Sequence, residues 1–536
     1  MATTWQDKAQ SARDYRDATL AKVEPPLNGF PNPLPLSSQE LPRQLLTPRE
    51  YELTQNYEIS ELLEMLRSKK LSSEDLTRAF LRRAAIAAKA TNCITELMWD
   101  EAIERAKYLD SLPEPIGPLH GLPISVKEHH GMNGKTCHAS YVAWIGTPSL
   151  PNRLNDILYD AGCVYYVRTT GPQTLMHLEC NNNIYGITVN PYNRNLTAGG
   201  SSGGEGALVG IRGSLFGLGG DIGGSVRAPA SNNGIYGFKP TTKRVSLKGM
   251  KAANAGRDTI FGTYGPLCTH RDTIDLFMKT VLDAQPWRYD PSLTPMPWTP
   301  FEYSRPLKIA IEWSDGVVKP HPPIIRAMKE VSEACKAAGM VVLDWEPLNH
   351  EKAWDIVSAL YFPDGGEDAL RPIKESGEPV LSLTDFITKE QPTVKSLDMH
   401  ELWKLNSERD AYREDYAAHW SSTKTAHSDE VDVILCPAVP SCAPPHECAR
   451  YWGYTSQWNL LDYPCAIFPV TFIDQEKDKK EEGYVPMNDQ DKYNYELYSP
   501  ESYIGAPVSL QLVGRRNFDE KVCKALELIE KAMGRK

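Results

Sequence analysis

Short apolar runs alternate along this chain with stretches of helical spacing. Residues 123–127, 164–167, 307–311, 340–343, 433–435 and 508–513 are compact apolar or β-branched runs, and they read as strands. Helical periodicity starts near Ile59. Leu76, Phe80, Leu81 and Ala84 then share one face behind Ser72 and Asp75, which read as a capping box. Further helices are expected over residues 152–161, from Gly204 to Val209, and over 323–338 with Ile325, Met328, Val331 and Ala334 or Cys335 inward. The chain closes on Val522, Leu526, Ile529 and Met533 at helical spacing. Strands alternating with helices argue for α/β layers. Residues 22–50 are rich in proline and polar side chains and read as an extended arm. This divides the chain into an arm, 1–58, and a body, 59–536. The charged run Gln475–Glu482, within residues 473–500, reads as a solvated loop.

Length adds a soft expectation of about three domains at ~150 residues each. Apolar residues make up 41% and charged residues 24% of the 536, an ordinary soluble composition. A formal charge of −11 argues against sequence-independent binding to nucleic acid or to anionic membranes. Eleven scattered cysteines, an odd number, point to a reducing compartment. The tightest set, Cys436, Cys442, His446 and Cys448, is broken by prolines and lacks a Cys-x-x-Cys pair, so no metal is expected there. The opening Met1–Lys8 carries no basic leader and apolar run, and no stretch of 18 apolar residues occurs, so a cytoplasmic location off the membrane is expected.

The chemistry concentrates in a glycine-rich run. Gly199-Gly200-Ser201-Ser202-Gly203-Gly204 is followed, 24 residues after Ser201, by Ser225 in Asp221-Ile222-Gly223-Gly224-Ser225-Val226-Arg227. Upstream, Lys127 ends Pro123-Ile124-Ser125-Val126. Serine is a weak nucleophile without an adjacent base, and a desolvated lysine supplies one because burial disfavours its charged form. Phosphate binding is the competing reading of such a run, but no Gly-x-Gly-x-x-Gly is present, since Ile222 stands where the third glycine should. Gly134-Lys135-Thr136 has a Walker ending, yet His129 occupies the required first glycine. The N–H groups of Ile222, Gly223, Gly224 and Ser225 could form an anion-binding nest, an oxyanion hole, beside a helix starting at Val226. Ser202 reads as a supporting donor or a helix cap, and Asp221 with Arg227 as a brace for the loop. His129 and His130 lack a nucleophile elbow before Ser225 and read as pocket wall or loop.

These residues, in this order and spacing, resemble the signature of the amidase signature family of serine hydrolases. Pro172–Met176, Asn190–Asn193 and Gly505–Val508 look like its fungal acetamidase branch, and the likeness covers about residues 60–530. The resemblance implies a single α/β/α sandwich around a large mixed β-sheet, which replaces the count of three domains. It implies Ser225 as nucleophile, Ser201 with a cis peptide bond as proton carrier and Lys127 as base, cleaving a carboxamide to carboxylate plus ammonia or an amine without metal or cofactor. Substrate-facing stretches in the family fall here on Met132–Ser140, Met176–Asn183 and Tyr451–Trp458. Met176, Cys180, Tyr451, Trp452 and Trp458 are therefore candidate pocket residues, with core packing as the other reading of the aromatics. An ester or carbamate hydrolase, a glutaminase subunit of an amidotransferase and an idle binding protein stay open. The expected partner is a small-molecule amide, with a homodimer as the ordinary prior for an oligomer.

Overall fold

The computed structural model describes residues 4–426 and 428–535; Met1–Thr3, His427 and Lys536, at the ends of the chain and within its last third, lie outside the described residues. Its strands in chain order are β1 (Ile94–Leu97), β2 (Pro123–Lys127), β3 (Val164–Thr169), β4 (Asn181–Asn182), β5 (Gly186–Ile187), β6 (Phe216–Asp221), β7 (Tyr236–Lys239), β8 (Thr263–Cys268), β9 (Lys308–Ile311), β10 (Val341–Asp344), β11 (Val433–Pro437), β12 (Cys465–Phe472) and β13 (Pro507–Val513). β4 and β5 pair as a small hairpin, and the others form one 11-stranded sheet in the order β1-β3-β2-β6-β8-β7-β12-β13-β11-β9-β10. β3, β2 and β6 run parallel at one end and β11, β9 and β10 at the other, with antiparallel pairs between. Helices flank this mixed sheet, as the resemblance implied.

Each expected strand is present within one residue at its ends, except that β3 and β11 each extend two further. The reason is burial: β2, β3, β9, β11 and β13 are buried at every position, and a strand covered on both faces reads as an unbroken apolar run. The 322–337 helix keeps the expected inward face at Met328, Val331 and Cys335, with Ile324 rather than Ile325 at its start. Ile324, Ala327, Met328, Val331 and Cys335 are buried, while Ile325 is only half-buried. The first turn after Ser72 is capped by its own Oγ, which accepts from Asp75 N (3.1 Å). A distant carboxylate, Asp110, takes the N–H groups of Ser73 and Glu74.

Of the stretch read as extended, residues 22–40 carry no helix or strand, but helices lie before it and at its end. Helices span Trp5–Leu20, Leu41–Leu45 and Pro48–Gln55, and Thr4 with Asp7 forms a capping box ahead of the first. Residues 473–500 are not all solvated loop either. They include the helix Asp489–Leu497, and Asp478 and Asp491 are fully buried, Asp478 paired with Arg326 (2.7 Å).

Candidate active site

β2 and β6 are parallel neighbours, with Ser125 opposite Gly217 and Val126 opposite Leu218. Their carboxyl ends therefore deliver Lys127 and Asp221 to the same edge of the sheet, where crevices of parallel sheets hold ligands. Lys127 is almost fully buried, and its Nζ donates to Ser201 Oγ at 2.6 Å and to Ser202 Oγ at 3.3 Å. Burial pushes its ammonium down to about 7, against the opposing pull of nearby Cys180, Glu205 and Asp221. The Gly200–Ser201 peptide is cis.

Ser202 ties the two serine loops together. Its N–H donates to Ser225 O (3.0 Å), and its hydroxyl sits 3.4 Å from Gly220 O. Ser201 and Ser225 both line one cavity of about 250 Å³. Among the described residues Lys127 Nζ is joined to the hydroxyls of Ser201 and Ser202, and no hydrogen bond joins the hydroxyls of Ser201 and Ser225.

The loop after β6 is held by one carboxylate. Asp221 accepts N–H from Gly224 (3.0 Å), Val226 (3.1 Å) and Arg227 (3.4 Å), and is paired with the Arg227 guanidinium through both oxygens at 3.0 Å. Arg227 goes on to Thr455 O, Gln511 and Asn459, all buried. Burial alone would raise the Asp221 carboxyl, but Arg227 and Asn459 outweigh it and hold it well below the usual carboxylate range. The brace expected from these two residues is thus present. Gly224 N–H, one of the four groups expected to form an anion-binding nest, is engaged with Asp221 instead. The helix beyond spans Arg227–Asn232, six residues, and its first N–H groups cap onto Asp221 rather than pointing at Ser225. The carbonyls of Ile222 and Gly223 face inward, accepting from Tyr361 OH (2.7 Å) and Thr455 Oγ1 (2.6 Å).

Beneath Lys127 lies a carboxylate that the motifs did not single out. Glu205, fully buried on the Gly203–Gly210 helix, accepts from Ser125 Oγ (2.5 Å) and Thr169 Oγ1 (2.6 Å). Ser125 shares a strand face with Lys127, two residues away. Burial raises the Glu205 carboxyl to about 7, while both hydroxyls and Lys127 pull it down. Gly217 leaves the room: a Cβ there would stand 1.9 Å from Glu205 Oε2.

Of the candidate pocket residues, Met176 lines the cavity, together with Leu175, Met250, Ile260 and Phe261. The others do not. Trp458 packs against His350, Tyr416 and Tyr463 in the core. Trp452 backs Gly223 and Tyr361 from behind the loop. Tyr451 donates to Asp315, and Cys180 packs under Gly203. Core packing is the correct reading of Trp458, because every residue of the Gly453–Leu460 helix is buried, and Trp452 just before it is buried too. The wall comes instead from residues 247–263, which carry no periodic signal. His129 is indeed cavity wall, while His130 stacks on Tyr264 at 3.8 Å. Burial, reinforced by the Lys127 charge, keeps both imidazoles neutral.

The family model named Amidase matches residues 75–523. The chain belongs to the amidase signature family. A Schizosaccharomyces pombe protein carrying an amidase name, C550.07, is 45% identical over 540 residues, covering 99% of each chain. An acetamidase of Emericella nidulans is 39% identical over 489 residues, 89% of each. The solved structure of a fatty acid amide hydrolase superposes with a TM-score of 0.92 at 36% identity, covering 99% of this chain and 95% of the other. The protein is a hydrolase of amide carbon–nitrogen bonds. Among the described residues no helix is long and apolar enough to cross a membrane, and the eleven cysteines are free thiols.

Proposed function

We propose that this amidase cleaves a small carboxamide to carboxylate and ammonia or an amine through an acyl-enzyme on Ser225. The observation that carries this reading is the buried 2.6 Å contact from Lys127 Nζ to Ser201 Oγ, in a loop joined to that of Ser225. Neutral Lys127 takes the Ser201 proton while Ser201 takes that of Ser225, whose Oγ attacks the amide carbonyl. The tetrahedral oxyanion sits against the N–H groups of Ile222, Gly223 and Ser225, each such donor contributing roughly 2.7–4 kcal/mol. The proton then returns along the same wire to the leaving nitrogen, and water releases the acid by the reverse route. The Ser201–Ser225 link would form when a substrate draws the nucleophile inward, since catalytic hydrogen bonds often tighten only in the complex.

The mostly apolar wall around Met176, Met250, Ile260 and Phe261 suits a compact alkyl or aryl group. The names of the relatives, acetamidase and fatty acid amide hydrolase, point to carboxamides as the substrate class. The free thiols agree with a cytoplasmic enzyme. Ser225→Ala should abolish turnover of an amide panel with an unchanged melting temperature, and the wild type should show an acyl adduct on the peptide holding Ser225. Full turnover by that variant would refute the assignment.

A further inference from the structure

One cation in the active-site cavity has no assigned work. Arg257 lines the same cavity as Ser201 and Ser225. It stands where the cavity meets solvent: Ala255, Gly256 and Asp258 are exposed, and a Cβ on Gly256 would meet only open space. Arg257 itself is partly buried. Its Nη1 donates to the main-chain carbonyl of Tyr361, a neutral acceptor that fixes its position without cancelling its charge.

The surrounding charges are otherwise spoken for. Asp221, the cavity's carboxylate, is neutralised by Arg227. Asp364 favours the Arg257 charge through space but forms no ion pair with it among the described residues; its oxygens accept main-chain N–H from Gly366 (3.0 Å) and Asp368 (2.8 Å). Asp368 in turn holds Asn254 N–H and pairs with Arg371. The rest of the wall is apolar or neutral. A partly desolvated guanidinium without a carboxylate partner is costly to keep, and the fork of N–H donors on arginine matches a carboxylate through two bonds at once.

We propose that Arg257 is a specificity-determining residue that selects amide substrates carrying a carboxylate at the end remote from the scissile bond. The inference rests on the reading of Ser225 as nucleophile. It deepens that reading by giving the compact apolar group a charged terminus, seated at the cavity rim while the amide reaches the serines.

The test compares kcat/KM for two matched pairs. One pair places the carboxylate on the leaving amine, N-acetyl-4-aminobenzoate against N-acetyl-4-aminoacetophenone. The other places it on the acyl group, 4-anilino-4-oxobutanoate against the anilide of 4-oxopentanoate. The wild type should favour the charged member of one pair, which identifies the side of the amide that faces Arg257. Arg257→Gln should cut that charged-to-neutral ratio by about 30-fold, the equivalent of about 2 kcal/mol at 1.4 kcal/mol per tenfold. Arg257→Lys, which keeps the charge and loses the fork, should fall between the two, and it carries the test if the glutamine variant does not fold. A wild type that favours the neutral member of both pairs, or a ratio that Arg257→Gln leaves unchanged, would overturn the proposal. Fluorophosphonate labelling of the wild type, run alongside, separates the two readings. Labelling at Ser225 with no charge preference refutes Arg257 alone, whereas absence of labelling removes the nucleophile assignment and the inference built on it.

Discussion

The protonation of Lys127 should set the acid limb of the rate profile, and the structure fixes where. Its ammonium is buried at the end of β2, and desolvation brings it from an ordinary 10.5 to about 7. The lysine acts as base only when neutral, so kcat/KM should rise with pH through about 7 and then level. With that midpoint the neutral fraction grows from about 9% at pH 6 to about 91% at pH 8, an increase of about tenfold. A lysine left in water would instead give about 100-fold over the same span with no plateau, because its midpoint lies far above it. The assay is kcat/KM for an uncharged amide at constant ionic strength from pH 5.5 to 9, with the rate of fluorophosphonate labelling followed in parallel. Glu205 provides an internal check. When ionised it favours the charged lysine, so Glu205→Gln should move the midpoint to lower pH by a fraction of a unit. A limb centred near 10, or a rate flat between pH 6 and 8, would refute Lys127 as the base. An upward shift in the glutamine variant would refute the coupling.

Other variants probe the frame rather than the proton. Arg227→Met strands a fully buried Asp221 carboxylate and should cost about 3–5 kcal/mol; an unchanged thermal melt would contradict that. Gly217→Ala puts a methyl 1.9 Å from Glu205 Oε2 and 2.7 Å from Ser125 Oγ, so it should cost roughly 1–3 kcal/mol by overpacking and lower turnover more than stability alone explains. Steady-state kinetics beside a melting curve would separate the two effects. Gly224 has φ +126°, and a Cβ there would stand 2.5 Å from Thr455 Oγ1, so Gly224→Ala should displace the loop and slow labelling of Ser225.

The parts legible in the sequence share one property: their signal is local. Lys127 stood out because a lysine closes a run that must be buried on both faces, and only chemistry or a dedicated partner keeps a cation there. The same logic was available for Glu205, a lone carboxylate in a helix of Gly, Ala, Leu and Val that is buried all round, but its hydroxyl partners lie on β2 and β3, remote in sequence. The capping box at Thr4 and Asp7 was likewise legible, and the proline-rich stretch that follows hid it. The tryptophans failed for the opposite reason. Aromatic residues near a motif suggest a cleft equally well as a core, and only the surroundings of the 453–460 helix decide between them. The loop amides proposed as oxyanion donors show the limit most sharply. Four consecutive N–H groups beside a serine look equivalent in sequence, yet Asp221, three residues before Gly224, claims one of them and the next two beyond Ser225. On the proposed reading, the carboxylate that braces the turn also decides which of these amides could meet an oxyanion, which ties the stability of the loop to the polarity of the site.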